Sequence, residues 1–376
     1  MIINLENKNI VFWEEFPKNP FELADILDRL HQPENRKVRF RFEHFPMKYP
    51  VPPELHESEF YADISLINLF AERFEKLTPE ENAVYQAVLQ TNRVIYFEDA
   101  VQMLYGLETV PAVKASSLAE LGAYALEHGL LPEFENCPEE FREYLDTAKI
   151  GRLMDERTGG IFIDGYYCDT YKYQKPEISV EFQKPEQEFF RLLLTENPDD
   201  KINAQWYTLP CDESELNGKI CLENQSALPN LRISQRPERE EILYLNRLAV
   251  RLSELNPHEF IKLKAVMEYE RACNIAGTYD CISRLNEYDF DPLPTDRNEF
   301  GRKYLAQNMT ENFSPEVLEN SDLSDFGSEI IRRKQGRFTS YGVISGRGQE
   351  LYSGIISEPE QEETEDCELQ MGGMCH

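Results

Sequence analysis

The sequence predicts an α+β fold in which one arrangement of strands and helices occurs twice along the chain. The stretches INLFAERFEKL (67–77) and LNRLAVRLSEL (245–255) both space Leu or Phe with the period of a helix, and both end just before an X-Pro-X-Glu sequence. Strand-like sequence precedes each helical block, and a strand that begins with glycine follows each one. At 376 residues the chain also exceeds the roughly 250 residues that one core normally supports.

Each copy is predicted to begin with a strand. In residues 38–42, Val and Phe alternate with Arg, which is typical of a half-buried strand. Residues 202–209 form a weaker counterpart, and Phe45-Pro46 and Leu209-Pro210 close the two strands in the same way. The sequence therefore pairs residues 38–42 with residues 202–209.

The helical middle of each copy is predicted from helix-start signals. Thr78 is followed by a proline and then by Glu81, and Asn256 is followed by a proline and then by Glu259. Each set combines an N-cap oxygen, a proline in the first turn and a capping-box glutamate. The helix that begins there is therefore predicted in both copies.

A third part of each copy is predicted to combine helix and strand. A capping oxygen three residues before Glu120, and another before Glu299, predict helices that end near Gly129 and Asn308. Residues 160–163 and 336–339 read as late strands. Matched glycines keep the same order in both copies: Gly122 with Gly301, Gly151 with Gly327, and Gly160 with Gly336.

These patterns divide the chain into four parts. The first copy spans residues 1–170, a linker spans 171–177, the second copy spans 178–356, and a disordered acidic tail spans 357–376. The stretch 358–376 has seven acids, no Lys or Arg and few residues that could form a core. Each copy is expected to have a small αβ N-terminal part, a helical middle and an αβ C-terminal part.

The charge of the chain limits its partners. With 69 Asp and Glu against 39 Lys and Arg, the net charge is −30, which opposes direct binding to nucleic acid or to an anionic membrane. The expected partners are basic surfaces. No apolar run reaches the roughly 20 residues of a membrane span, and no secretory signal precedes the first copy, so a cytoplasmic protein is expected.

One family resemblance follows from particular residues. The run from Tyr144 and Asp146 to Gly151-Arg152, followed by a strand, resembles the C-terminal region of ArdA-type antirestriction proteins. The LNRL…SEL helix and the Leu-Pro and Phe-Pro segments are similar to other segments of that family. Its members are about half as long, so the resemblance implies two tandem ArdA-like copies in one chain.

The resemblance implies a function and a shape. ArdA-type proteins are elongated, non-enzymatic mimics of bent B-form DNA that block the DNA-binding groove of type I restriction-modification enzymes, and they belong to mobile genetic elements. They usually act as dimers, so the fused chain is expected to be a single-chain pseudo-dimer or to form a homodimer. No catalytic residue, cofactor or metal is implied.

Mimicry requires unpaired carboxylates at about the spacing of phosphates. Acids three or four positions apart share one helix face, with roughly 5–6 Å between their Cβ atoms. The first copy supplies one predicted set: Glu133, Glu135, Glu139, Glu140, Glu143 and Asp146. The second copy supplies another, which forms a ridge of one sign if a single helix continues through it: Glu316, Glu319, Asp322, Asp325 and Glu329. Further clusters could extend the surface: Glu80-Glu81, Asp199-Asp200, Asp212-Glu213, Glu240-Glu241 and Glu287 with Asp289 and Asp291.

Other interpretations remain open. The same spacing also suits a merely solvated helix face. The chain could be an acidic inhibitor or adaptor of another DNA-binding protein or nuclease, or a hydrolase that uses a pair of carboxylates not located by sequence. A calcium loop at residues 289–300 is discounted, because Pro294 and Phe300 occupy positions that such a loop gives to Gly and Glu.

Overall fold

The computed structural model describes residues 1–32, 37–44, 59–134, 137–138, 141, 144–180, 182–197, 199, 201–308, 316 and 320–353. These residues form eleven α-helices and four small antiparallel sheets, which confirms the predicted α+β fold class. Phe45, Pro46 and the predicted tail at 357–376 lie outside the described residues.

The first half begins with a four-stranded sheet of order β2-β1-β3-β4, and one helix covers it. The strands and the helix are β1 (Ile2–Asn7), β2 (Ile10–Glu15), α1 (Pro20–Arg29), β3 (Lys37–His44) and β4 (Phe60–Asp63). Leu5 of β1 lies opposite Phe12 of β2 and Phe40 of β3. The strand predicted at residues 38–42 is confirmed within β3.

Three helices follow the sheet: α2 (Ile64–Glu75), α3 (Pro79–Thr91) and α4 (Phe97–Tyr105). The predicted capping box is formed, because Thr78 Oγ1 accepts from the Glu81 amide at 3.2 Å and Glu81 accepts from the Thr78 amide at 2.9 Å. The core between sheet and helices is rich in phenylalanine. Phe97, for example, packs edge-on against Phe40 with ring centroids 4.9 Å apart.

The first half ends in a small αβ unit with sheet order β5-β7-β6. Its elements are β5 (Ala112–Lys114), α5 (Leu118–Glu127), α6 (Thr147–Thr158), β6 (Ile161–Ile163) and β7 (Tyr166–Cys168). The chain then packs back on the first half, because Tyr173, Ile178 and Phe182 join its core. The first core therefore draws on residues on both sides of the predicted boundary at 177.

The second half contains two three-stranded sheets, of order β10-β8-β9 and β11-β13-β12, separated by helices. Its first elements are β8 (Phe190–Thr195), β9 (Gln205–Leu209), β10 (Ile220–Ser226), α7 (Arg239–Leu252), α8 (Pro257–Glu270) and α9 (Ile275–Ser283). The rest are β11 (Phe290–Asp291), α10 (Arg297–Asn308), α11 (Ser324–Arg333), β12 (Arg337–Thr339) and β13 (Gly342–Ile344). The capping box predicted for Asn256 and Glu259 is formed at the start of α8.

Both halves therefore show the same order of elements. Helices α2 to α6 correspond in order to α7 to α11, and in both C-terminal sheets the last strand lies in the middle. The Asn68 side chain accepts from the Lys18 amide at 2.7 Å, and the Asn246 side chain accepts from the Cys211 amide at 2.9 Å. These correspondences support a duplication; its origin in two ArdA-like units stays a prediction.

The shared asparagine contact corrects one predicted pairing. Lys18 and Cys211 each follow the proline that ends a strand, which is β2 in the first half and β9 in the second. The sheet orders agree, because β2-β1-β3 matches β9-β8-β10. The predicted match of residues 202–209 to residues 38–42 is therefore wrong. The ten-residue helix α1 follows β2, whereas only a short 3-10 turn follows β9, and this insertion shifts the alignment.

Glycines hold the last two helices of each half in backbone contact. A Cβ atom on Gly151 would lie 1.8 Å from the Leu118 carbonyl oxygen, and one on Gly122 would lie 1.8 Å from the Thr147 oxygen. Helices α10 and α11 repeat the arrangement, because a Cβ atom on Gly327 would lie 2.0 Å from the Arg297 oxygen. Both helix pairs therefore depend on the absence of a side chain at their crossing.

Helix α1 joins the two halves through buried charges. Lys264 of α8 is 2% exposed, and its Nζ lies 2.8 Å from Asp25 and 2.9 Å from Asp28. The Tyr341 hydroxyl donates to Asp25 at 3.0 Å, and Lys184 reaches Asp28 at 2.7 Å. The buried charges are thus paired across the junction.

Candidate acidic interaction surface

The composition guarantees a large excess of surface carboxylates. If each of the 39 Lys and Arg side chains neutralised one of the 69 acids, 69 − 39 = 30 acids would remain. Ion pairing within the chain therefore cannot remove its negative field. The structure decides where the unpaired carboxylates lie.

The first predicted acidic set is partly paired with cations. Arg157 forms a two-pronged contact with Glu133, whose Oε2 accepts from Nη1 at 3.2 Å, and this hydrogen bonding lowers the pKa of Glu133. Asp146 caps α6 and lies 3.2 Å from the Lys149 ammonium; the hydrogen bonds from Lys149 lower the pKa of Asp146. The rest of this set lies outside the described residues: Glu135, Glu139, Glu140 and Glu143.

The second predicted set also divides into paired and unpaired acids. Glu329 accepts hydrogen bonds from Arg332 and Arg333, which lower its pKa to about 2. Asp322 accepts from the Ser324 hydroxyl at 2.6 Å and the Ser324 amide at 3.0 Å. Asp325 is exposed in the first turn of α11 and has no ion pair within the described part of the chain. Glu316 is exposed, and Glu319 lies outside the described residues.

The predicted continuous ridge is therefore wrong in two respects. Residues 320–323 are not helical, and α11 begins only at Ser324. Polar contacts set this new helix start, because the Leu323 amide donates to Asn298 at 2.8 Å while Asp322 binds Ser324. Glu133, Asp146 and Glu329 also have cationic partners, so they do not present free charge as the sequence suggested.

Many acids, including Asp146 and Asp322 of the predicted sets, cap helices or turns. Carboxylates accept backbone amides at or just before helix starts throughout the described residues: Asp63, Glu81, Asp99, Glu120, Asp146, Asp212, Glu259, Glu299 and Asp322. The Ser116 amide and hydroxyl lower the pKa of Glu120, and Ser214 lowers that of Asp212 in the same way. The lowered pKa favours the ionised form of Glu120 and of Asp212.

The fold assembles an acidic surface from two predicted acid pairs, Asp212-Glu213 and Glu240-Glu241, and from acids that the sequence analysis did not single out. The 3-10 turn at Glu213–Leu216 lies against the start of α7, because Arg239 donates to Asn217 at 2.8 Å and Arg247 to Glu213 at 3.1 Å. Burial raises the pKa of Cys221 to about 11, and the nearby charges of Glu223 and Glu241 also raise it. Because Glu223 of β10 and Glu241 of α7 both act on Cys221, β10 brings the Glu223 carboxylate close to the start of α7.

We call this surface the β10–α7 patch and define it by seven acids: Asp212, Glu213, Glu215, Glu223, Glu238, Glu240 and Glu241. Glu213 is paired with Arg247, and Glu241 accepts from the Ser234 amide. The other five are exposed and have no ion pair among the described residues. The patch therefore brings together five acids without an ion pair among the described residues, on a surface that also carries Arg236 and Arg239.

The hydrolase alternative requires a pair of carboxylates in a cleft. A cleft of about 310 Å³ lies between α1 and β10. It contains three carboxylates, each already engaged. Glu14 contacts Arg29 at 2.7 Å, Glu22 accepts from the Asn19 amide at 2.9 Å, and Asp25 pairs with Lys264. These contacts favour a structural junction over an acid–base pair. Within the described ranges, no group of three or more His, Cys, Asp or Glu is arranged to hold a metal.

The described helices include none with the length and apolar character needed to cross a bilayer. Comparison with known proteins adds no assignment: no protein-family model matches the chain, and no curated protein matches it.

Proposed function

We propose that this chain is a non-enzymatic inhibitor that mimics DNA and occupies the basic DNA-binding groove of a type I restriction-modification enzyme. One observation carries the proposal: the β10–α7 patch gathers seven carboxylates, five of them without an ion pair among the described residues, on a chain of net charge −30. The resemblance to ArdA-type proteins supports the choice of target.

The mechanism is competition for the same groove. A basic groove that binds DNA gains free energy by releasing the counterions that surround the phosphates. Carboxylates held by folded elements can satisfy the same Lys and Arg side chains and exclude the duplex. No bond is made or broken, so the inhibitor is not consumed.

Neutralising the patch tests its role. We expect the variant E215Q/E223Q/E238Q/E240Q to inhibit a type I enzyme about 10-fold less potently or worse, because exposed ion pairs contribute roughly 0.2–1 kcal/mol each. DNA cleavage at graded inhibitor concentrations measures the loss. The control variant E80Q/E98Q/E108Q/E127Q removes four exposed acids of the first half. Equal loss in both variants would assign inhibition to total charge and remove the role from this patch.

Salt should have opposite effects on binding and on folding. Raising NaCl from about 50 to 500 mM shortens the screening length, which weakens attraction to a basic groove and also relieves repulsion within the −30 chain. We expect the affinity for the enzyme to fall at least 10-fold while the melting temperature of the free protein rises. Calorimetric titration and thermal unfolding measure the two effects. Affinity independent of salt would argue against mimicry.

A further inference from the structure

One groove carries the opposite sign to the rest of the chain. A cavity of about 450 Å³ lies between α10, α11 and β12. We call it the arginine groove and define it by five of its lining residues: Arg297, Ser328, Arg332, Arg337 and Phe338. Arg297 and Arg337 are exposed, and neither has an ion pair within the described part of the chain.

The residues that line the groove include three arginines and no carboxylate. Glu329 contacts both Arg332 and Arg333, so one carboxylate serves two guanidinium groups. Arg297 and Arg337 add two exposed guanidinium groups that have no ion pair among the described residues. Guanidinium groups bind carboxylates through paired hydrogen bonds, so the groove is suited to a ligand rich in Asp or Glu.

The fold itself does not require these arginines. The matched glycines place Leu118, Glu156 and Ile161 of the first half at the positions of Arg297, Arg332 and Arg337. The first half forms the same helix pair and the same sheet order with those residues. The positive charge is therefore an addition in the second half, and this points to a ligand.

We propose that the arginine groove binds the acidic segment at residues 358–368 of the same chain. That segment contains all seven acids of the stretch 358–376, and it has no Lys or Arg. The last described residue, Ser353, lies beside the groove, because its carbonyl oxygen accepts from Lys334, three residues before Arg337. Four residues lie between Ser353 and Glu358, and the five Cα–Cα steps allow a span of roughly 17 Å.

Binding of this segment has a consequence for the surface. It places carboxylates over a cationic region of the second half, so that the field of the protein becomes more uniformly negative. The contact does not depend on the identity of the enzyme that the protein inhibits.

The test uses full-length chains and a fluorescent peptide with the sequence of residues 357–369. In one chain, all seven acids of the stretch 358–376 are replaced with Asn or Gln, which frees the groove. At about 50 mM salt, we expect this chain to bind the peptide at least 10-fold more tightly than the wild type, whose own segment occupies the site. Fluorescence anisotropy measures both affinities.

Substitutions in the groove locate the binding. In the neutralised chain, the substitutions R297L/R337I introduce the residues that the first half has at these positions. We expect them to weaken peptide binding at least 10-fold. If that variant does not fold, R297Q/R337Q takes its place. The control R93L/R152I removes two exposed arginines elsewhere. Equal peptide binding by the wild-type and neutralised chains would overturn occupation by the segment, and unchanged binding after R297L/R337I would place the contact outside the groove.

Discussion

The variant Lys264→Met is expected to lower the free energy of unfolding by about 3–5 kcal/mol, because it leaves buried carboxylates without their cation. Lys264 and Asp28 are each 2% exposed at the side chain, and Asp25 is 8% exposed. Lys184 would still contact Asp28, but among the described residues Asp25 would retain only the Tyr341 hydroxyl. Urea unfolding followed by circular dichroism measures the loss.

Two further variants separate lost pairing from lost packing. Lys262→Met changes the same residue type on the same helix, where Lys262 is half-buried and has no ion pair among the described residues, so we expect a change below about 1 kcal/mol. The triple variant D25N/D28N/K264M removes all three charges and should recover much of the loss. A loss below about 1 kcal/mol in Lys264→Met would show that this network does not hold the halves together.

The same network predicts the response to alkaline pH. Burial acts to lower the pKa of Lys264, but the charges of Asp25 and Asp28 outweigh it, and the pKa lies above its usual 10.5. A raised pKa in the folded state means that the stabilisation is complete below the unfolded value and is lost as pH rises through the folded value. The wild type should therefore lose its advantage over Lys264→Met only above about pH 10.5.

The second large effect concerns the crossing of paired helices. Gly151→Ala is expected to lower the free energy of unfolding by about 3 kcal/mol, because the new Cβ would lie 1.8 Å from the Leu118 carbonyl oxygen. Gly327→Ala should act similarly, with the Arg297 oxygen at 2.0 Å. The new Cβ would force the two helices apart, and their side chains would lose packing contacts. Alanine also has a higher helix propensity than glycine, but this gain of roughly 1 kcal/mol only partly offsets the loss.

The control is Gly277→Ala in α9, where the nearest atom to a new Cβ is Asn274 Oδ1 at 3.3 Å. We expect that variant to change stability by less than about 1 kcal/mol. Thermal unfolding of all three variants provides the comparison. Stability equal to the wild type in Gly151→Ala and Gly327→Ala would mean that the helix pairs do not need backbone contact.

Helix starts were predictable because their signals are local. The caps at Thr78 and Asn256 act through atoms three residues away, so the sequence alone shows them. Helix α1 was not predicted, although Asn19 caps it and Pro20 begins it. Its sequence is amphipathic, so its cap and its apolar face could have been recognised locally. The sequence could not show that Asp25 and Asp28 are buried as partners of Lys264.

The acidic surface was less predictable because it depends on long-range assembly. Spacing along a helix suggested a ridge through Glu316 and Glu329, but Asp322 instead serves the start of α11. The β10–α7 patch includes Asp212 and Glu240, which lie 28 residues apart in the sequence and come to one surface when the 3-10 turn packs on α7. Local charge runs hint at these residues, but no local pattern shows that they meet.

Direct competition with duplex DNA tests the proposed function. A purified type I restriction-modification complex is saturated with a labelled duplex carrying its recognition sequence, and the full-length chain is added while anisotropy is recorded. The proposal predicts complete displacement, with an apparent affinity that weakens in proportion to the DNA concentration. A complex that holds the duplex and the protein together, or a duplex that stays bound at saturating protein, would contradict it.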